Sequence, residues 1–393
     1  MALPNLWGLY NLRSSPFFQA TLRADSQATP LRLFVGRQRE RQLLLTTIGS
    51  SASSRQAVAG RPGIGKTTLV QTVKADAQAG GYWSSDEIIP ISAEGASEHL
   101  LGQLLSGVYD AVLANCPTAA GPEVEAAQQL VRSIRLRGGG LTLSATPPGA
   151  LLLDGPRVLR DLLRYAIGHG ARGIVLHLNN LESLSEADAS RAADLLRGIR
   201  DQALLHDGLH LIVVGSRSVF RNPLVLEPLE LGDVEQLLAN RYAALQLDPL
   251  RAWRSPLESA VVQRLYALFR GDLRGMLKAL EDGITALLGF TSAGADVAPV
   301  GLEDLLLTLR QRNQAELREQ LGDTAWERLV AWARVDSASS QTQAQLVELW
   351  QVRQPTVSKT LQQMIEAGAV EALPRRGREA IQYLMTGTVR LAL

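Results

Sequence analysis

The sequence predicts a doubly wound α/β domain, then a helical region, then a small helix-turn-helix unit. Three observations carry that expectation. A glycine-rich stretch, 60–67, sits between a short strand pattern and a helix pattern. Two apolar runs, 173–178 and 209–214, read as buried parallel strands with helical stretches between them. Residues 230–290 then follow a helical period almost throughout, and the chain closes on two short helix patterns and a basic turn.

Taken in order, residues 1–30 mix aromatics with Ser, Asn and Pro and read as an arm laid over a neighbouring domain. From residue 31 the pattern becomes βαβ-like, with a helix over 38–48, a strand over 56–59 and a helix over 66–79. Residues 132–150 hold Gly138-Gly139-Gly140 and Pro147-Pro148-Gly149, a density that predicts an exposed loop or hairpin inserted into the α/β core. Ser255-Pro256-Leu257-Glu258 reads as a capping-box helix start with proline at the first helical position. Residues 291–295 are a linker candidate, and no internal repeat recurs at fixed period.

Composition limits the function classes. At 393 residues, with 46% hydrophobic and 20% charged side chains, the chain reads as two or three globular domains rather than a disordered one. A formal net charge of +1 gives no whole-chain attraction to nucleic acid or membrane, so any basic surface must be local. The single cysteine, Cys116, excludes a disulfide scaffold and a cysteine-rich zinc site and suits a reducing cytoplasm. The first residues lack a secretory pattern and no apolar run approaches a membrane span, so the expected location is cytoplasmic. Lysine is scarce, at positions 66, 74, 278 and 359 only, which makes a lysine inside a motif informative.

Gly60-Arg61-Pro62-Gly63-Ile64-Gly65-Lys66-Thr67 matches G-x-x-x-x-G-K-[ST] in full, after a strand and opening a helix. Glycines let successive backbone N–H groups point at phosphate oxygens, and the helix N-terminus adds its positive end. Lys66 is placed to reach the β- and γ-phosphates, and the Thr67 hydroxyl to ligate Mg²⁺, with Thr68 beside it.

With that loop placed, Phe34-Val35-Gly36-Arg37-Gln38-Arg39-Glu40 resembles the "FVGRE-x-E" stretch of AAA+ and STAND-type P-loop ATPases, where the segment packs on adenine. Gly271-Asp272-Leu273-Arg274 is similar to the sensor-2 element of the origin-recognition/initiator branch, whose arginine reaches the γ-phosphate from a helical lid. Gly215-Ser216-Arg217 is similar to the sensor-1 element of STAND ATPases. The resemblance spans residues 31–393 and keeps the family's motif order. Each of these three segments also has a plainer reading: Gly36-Arg37 as a turn, Arg217 as a surface arginine, and Asp272 at a helix start.

The resemblance places the Walker B strand at Val175-Leu176-His177-Leu178-Asn179-Asn180-Leu181-Glu182, where both acidic positions of the family hold asparagine. Asn179 can bond a metal-bound water but brings no charge. Asn180 can position an attacking water but cannot take its proton, and losing a general base costs roughly 10²–10⁴ in rate. Glu182 lies two residues on and is a partial substitute, whereas His177 reads as a tolerated strand residue. The expectation is ATP or ADP binding with Mg²⁺ and slow or absent hydrolysis. Arg197 and Arg200 are candidates for an arginine acting in trans, or members of a solvated helix face.

The C-terminal unit resembles a MarR-like winged helix. A short helix over 341–350 precedes a second over 354–368, with Val357, Leu361, Met364 and Ile365 inward and Gln354, Thr356, Ser358, Lys359 and Gln363 outward. Such an outward face suits a major groove. A strand, the basic turn Arg375-Arg376-Gly377-Arg378 and a second strand make the wing. From 353 to 378, five basic and two acidic residues leave a local charge of +3. The other reading of this unit is a docking module for protein alone.

The resulting division is an arm (1–30), an αβα P-loop core (31–220), a helical lid (221–300), and a linker helix with winged helix (301–393). The expected partners are duplex DNA and a homo-oligomer or partner protein, with no membrane. The competing reading is a scaffold whose nucleotide is a permanent structural cofactor.

Overall fold

The computed structural model describes residues 5–22, 30–91, 97–138, 150–181, 191, 194–215, 220, 222–289, 291, 297–337, 339–373 and 380–393, leaving aside the side chains of 135–138, 150–152, 180, 181, 202 and 336. The chain divides into two units, residues 21–226, and residues 1–20 joined with 227–393.

In the first unit, α1 (Gln38–Ser50), β1 (Ser54–Ala59) and α2 (Lys66–Ala79) come first. They are followed by β2 (Ile89–Pro90), α3 (Ser97–Asn115), α4 (Pro122–Gly138), α5 (Ala150–Gly168), β3 (Ile174–Leu181), β4 (Leu209–Gly215) and β5 (Leu224–Val225). The five strands form one parallel sheet in the order β2-β3-β4-β1-β5. Successive strand residues face opposite sides, and both sides are covered. Val58, Val175, Ile212 and Val214 pack with Leu44, Ile48, Leu69 and Val73 of α1 and α2. Ile174, Leu176, Leu178, Leu209, Leu211 and Val213 pack with α3, α4 and α5 on the other face. Arg41 of α1 grips the Asp76 carboxylate of α2 with Nε and Nη2, which fixes the two helices side by side.

The expected loop over 132–150 is corrected at both ends. Residues 132–138 continue α4 and Ala150 opens α5, because the apolar stripes of the two helices bury Val131, Val158 and Leu162 in one core. Residues 139–149 lie outside the described residues.

The second unit contains α6 (Leu231–Ala244), α7 (Ser259–Phe269), α8 (Leu273–Leu288) and α9 (Leu302–Asp336). It continues with β6 (Gln341–Thr342), α10 (Gln343–Trp350), α11 (Gln354–Glu366), β7 (Val370–Ala372), β8 (Gln382–Met385) and α12 (Gly387–Ala392). The three strands make an antiparallel sheet in the order β6-β8-β7. α9 is broken at Gly322 (φ 69°, ψ 164°), and Gln363 of α11 donates its amide to the Leu321 carbonyl at 2.8 Å beside the break. Trp326, Trp332 and Trp350 anchor the core that α9, α10 and α11 share. Thr342 and Gln345 form a capping box at α10, so the first residues of the expected helix at 341 are strand instead. The predicted capping start at Ser255 is also corrected. Its hydroxyl bonds the Leu257 N–H and carbonyl in a local turn, and α7 begins at Ser259 behind Glu258, which makes no side-chain cap.

The N-terminal residues pack within this unit. Asn11, in the left-handed region (φ 61°), donates to the carbonyls of Asp248 (3.0 Å) and Arg251 (2.6 Å). Phe17 is fully buried, edge-on to Trp7 and Tyr242. Arg241 of α6, 5% exposed, donates to the carbonyls of Pro16 (2.9 Å) and Phe18 (2.8 Å) and lies 3.8 Å over the Phe18 ring. Burial lowers its guanidinium to about 10, still charged at neutral pH.

Arg241→Met keeps the stem and removes both charge-assisted bonds. It should destabilise the second unit by about 2 kcal/mol in chemical denaturation and expose the bond after Arg13 to trypsin. A wild-type midpoint and wild-type digestion pattern would show that the arginine does not hold the arm.

Candidate functional site

β1 ends at Ala59 and the chain turns through residues 60–65 into α2. Gly65 caps α2 at φ 94°, a conformation that a Cβ would strain. Gly60 has a different reason to lack a side chain. A Cβ there would lie 3.0 Å from the Leu226 carbonyl and 3.2 Å from Ile64 Cγ2. The first N–H groups of α2 have no acceptor within the helix, so the turn presents donors to an anion. Lys66, 3% exposed, donates from Nζ to the carbonyls of Gly60 (2.9 Å) and Arg61 (2.7 Å), folded back on the loop it follows.

The 34–40 segment meets this loop. Arg37 is buried in the left-handed region (φ 63°), pairs with Glu40 at 3.2 Å, and points Nη2 at the Ile64 carbonyl, 3.5 Å away. Phe34 packs on the core that holds Ile64 and Leu69. Arg37 and Phe34 thereby bring this segment against Ile64 of the loop.

β3 brings the asparagines to the same edge of the sheet. Its pairing with β4 shifts register between Leu178 and Leu181, so the backbone at Asn179 and Asn180 lies at an irregularity of the ladder. Asn179 Oδ1 is buried without a hydrogen-bond partner, while the Asn179 carbonyl accepts from Ile91 N–H at 2.9 Å. An orphaned amide oxygen at the strand end fits a hydrated Mg²⁺ carried in on phosphates, with the Thr67 hydroxyl as the other oxygen donor. Among the described residues no group of three or more His, Cys, Asp or Glu is arranged to hold a metal.

Beneath Asn179, on the same face of β3, lies His177, fully buried with neither ring nitrogen bonded. Burial, with the Lys74 charge added, lowers its imidazole to about 3, so the ring is neutral at ordinary pH. Lys74 is itself pushed down to about 8 by burial, a shift that Asp86 and Glu87 oppose. Its Nζ donates to the Glu87 carbonyl at 3.0 Å. Gln71 and Gln78, one turn either side, donate to the carbonyls of Asp86 (3.4 Å) and Ser84 (3.0 Å). Sequence reasoning missed this polar seam. Its signal is a scarce lysine flanked by glutamines at i−3 and i+4, a single helix face.

Glu182, Arg217, Arg375, Arg376 and Arg378 lie outside the described residues. In the second unit, Arg274 is exposed in the first turn of α8, which Asp272 caps by accepting the Gly275 N–H at 2.9 Å. Gln354, Thr356, Ser358 and Lys359 are exposed along α11. Gln363 is exposed as well, with its amide donated to the Leu321 carbonyl. Arg197 is exposed and paired with Asp194 at 2.5 Å, and Arg200 is exposed beside Asp201 at 3.9 Å.

Residues 33–214 match the family described as AAA ATPase domain. That domain implies nucleotide binding, usually with Mg²⁺. Among solved structures, the chain is similar to one in a structure of Drosophila ORC bound to DNA, at 13% identity and a TM-score of 0.40, covering 93% of this chain and 91% of that one. It is also similar to a mutant RuvB of Thermotoga maritima, at 15% identity and a TM-score of 0.39, covering 90% and 93%. No curated protein matches the sequence.

The buried imidazole makes stability pH-dependent in a defined window. Above pH 6.5 His177 is neutral folded and unfolded. Between 6.5 and about 3 only the unfolded chain takes the proton, so stability falls as pH drops through that range. His177→Leu should therefore retain on the order of 2–3 kcal/mol more stability than wild type at pH 4.5, relative to their difference at pH 7.5. His210, lowered to about 4 by burial and Arg55, titrates in both proteins and cancels. Parallel pH profiles would refute a buried neutral His177.

Proposed function

We propose that the AAA ATPase domain at residues 33–214 binds ATP mainly as a conformational ligand, and that the C-terminal unit is a winged helix through which nucleotide state governs duplex DNA binding. What supports the first half is a complete phosphate loop after β1 and, at the same edge of the parallel sheet, a β3 end whose sequence is Asn179-Asn180.

The steps follow from the residues. Backbone N–H groups of 63–67 hold the phosphates, and the dipole of α2 adds attraction. Lys66 must leave the carbonyls of Gly60 and Arg61 to reach a phosphate, so binding exchanges two neutral acceptors for a charged one. Val35, Gly36 and Arg37 flank the loop on the side proposed for the adenine. Mg²⁺, when bound, supplies charge neutralisation at the phosphate oxygens. Asn179 orients a water there through its amide oxygen, and Asn180 positions the attacking water without accepting its proton. Glu182 is the nearest carboxylate in sequence, and Arg217 the proposed sensor of phosphate at the end of β4. Arg274 is proposed as the arginine that distinguishes the terminal phosphate, on its place in Gly271-Asp272-Leu273-Arg274.

Support for the DNA half is local. Helix α11 exposes Gln354, Thr356, Ser358 and Lys359, side chains suited to base edges and phosphates. It is set rigidly, since Arg328 of α9 donates to Thr360 at 2.7 Å and Trp350 Nε1 to the Arg328 carbonyl at 2.9 Å. Arg375, Arg376 and Arg378 bring three positive charges between β7 and β8.

Lys66→Ala should abolish ATP binding in calorimetric titration. Wild-type turnover should be slow, and Asn180→Asp should raise it by about 10²-fold, the lower end of a general base's contribution. Turnover of tens per second in wild type, or no gain in the variant, rejects the conformational-ligand reading. For DNA, Arg375→Ala with Arg378→Ala should weaken duplex binding equally across sequences. The slope of log K against log salt should flatten by about 1.8. Unchanged affinity would assign the unit to protein docking.

A further inference from the structure

Helix α12 follows the C-terminal sheet in sequence, yet it packs on α9 and on the two helices before it, α7 and α8. Its first end is tied to the turn after α11. Thr386 donates its hydroxyl to the Gly368 carbonyl at 2.9 Å, and its N–H to the Ala369 carbonyl at 3.0 Å. Its other end is held from two sides. Arg390 Nε donates to the Leu268 carbonyl at 2.6 Å, and Arg310 of α9 donates to the Leu393 carbonyl.

Leu268 is the penultimate residue of α7, and the turn beyond it carries Arg274. Arg270 closes α7 in the left-handed region (φ 48°) with its N–H on the Tyr266 carbonyl, and Asp272 caps α8. Helix α12 approaches this turn closely at Phe269. A Cβ on Gly387 would lie 2.2 Å from Cδ1 of Phe269, and a Cβ on Gly275, the residue after Arg274, 3.0 Å from that same atom. The ring thus fills the space between α12 and the first turn of α8. On the turn's other side a Cβ on Gly271 would meet Pro228 Cβ at 2.3 Å. Close-packed atoms transmit displacement rather than absorb it.

We propose that α12 is the element through which α11 and Arg274 sense each other, with Arg390 and Gly387 as positioning residues for that arginine. The inference rests on reading Arg274 as the residue that distinguishes ATP from ADP. A shift of α11 moves Gly368 and Ala369, these carry Thr386 and α12, and α12 carries Phe269 and the α7–α8 turn. Coupling of this kind is reciprocal, so disturbing α12 alters phosphate discrimination even with no DNA present.

The test is the ATP-to-ADP affinity ratio of the full-length chain without DNA, by calorimetry, for wild type, Arg274→Ala, Gly387→Ala, Arg390→Ala and Arg390→Lys. Wild type should prefer ATP and Arg274→Ala should lose that preference. Gly387→Ala and Arg390→Ala should each lower the ratio at least about 5-fold while ADP affinity stays within about twofold of wild type. Arg390→Lys, which still carries a donor for the Leu268 carbonyl, should recover most of the ratio. Adding Gly387→Ala or Arg390→Ala to Arg274→Ala should change nothing further. A wild-type ratio in the Gly387 and Arg390 variants, with Arg274→Ala deficient, overturns the transmission role alone. A wild-type ratio in Arg274→Ala overturns the reading of that arginine and this proposal with it. Should Gly387→Ala lose its thermal unfolding transition, the contrast between Arg390→Ala and Arg390→Lys decides.

Discussion

All five strands of the first unit run parallel, and much of the site depends on that constraint. A parallel sheet puts the C-terminal ends of its strands on one edge, where loops are free to carry chemistry. Here β4 alone separates β1 from β3, so the phosphate loop and Asn179 emerge about 10 Å apart on a common edge, two strand spacings. The helix that follows β1 then aims its N-terminus across that gap. Neither residue set has meaning without the other, and the strand order brings them together over more than a hundred residues of intervening chain.

Charge distribution follows from the same packing. The face of β3 that looks toward α2 carries Val175, then His177, then Asn179, a gradient from apolar core to strand end. Burial keeps His177 neutral, and Lys74 spends its ammonium on a backbone carbonyl rather than on a phosphate. Lys66 and the helix terminus, rather than Lys74, therefore offer positive charge to an anion at the loop, with α2 tied below by Gln71, Lys74 and Gln78 to the strap at 84–87. A rigid α2 keeps the loop's N–H groups converged before any ligand arrives, which lowers the ordering cost of binding.

Local chemistry decided what could be read in advance. The bounds of α2 were legible to the residue because Gly65 and Lys66 mark its start and Gly80 its end. β3 and β4 were legible as apolar runs, and the inward positions Val357, Leu361 and Met364 of α11 as a helical period. Ser255 misled because a serine before proline satisfies its hydroxyl within a turn as readily as at a helix. Glycines near 138 misled because helix–helix packing overrides propensity at a helix end. β6 and α12, two and six residues long, are too short for periodicity to register. The arm's landing place was invisible for another reason. Arg241 meets Pro16 and Phe18 across more than two hundred residues, and no local pattern encodes such a pairing.

The chain passes between its two units twice, near residues 20 and 226. The second passage is adjacent to the phosphate loop by direct bonding. Leu226 N–H donates to the Ala59 carbonyl at 2.8 Å, and the Leu226 carbonyl lies where a side chain on Gly60 would have to go. Ala59 and Gly60 are the last residue of β1 and the first of the loop, so Leu226 is packed directly against the start of the loop. Glu227 and Pro228 follow at once, and Pro228 is the residue against which Gly271 is packed. Each contact lies inside its own unit, Gly60 on Leu226 in the first and Gly271 on Pro228 in the second. Gly271 is held to glycine twice over, since a Cβ would overlap the Pro228 ring and its backbone sits at φ 86°. At Gly60, by contrast, the Leu226 carbonyl closes the space a side chain would need, so the loop's first residue and the strand that follows β4 are packed as one piece.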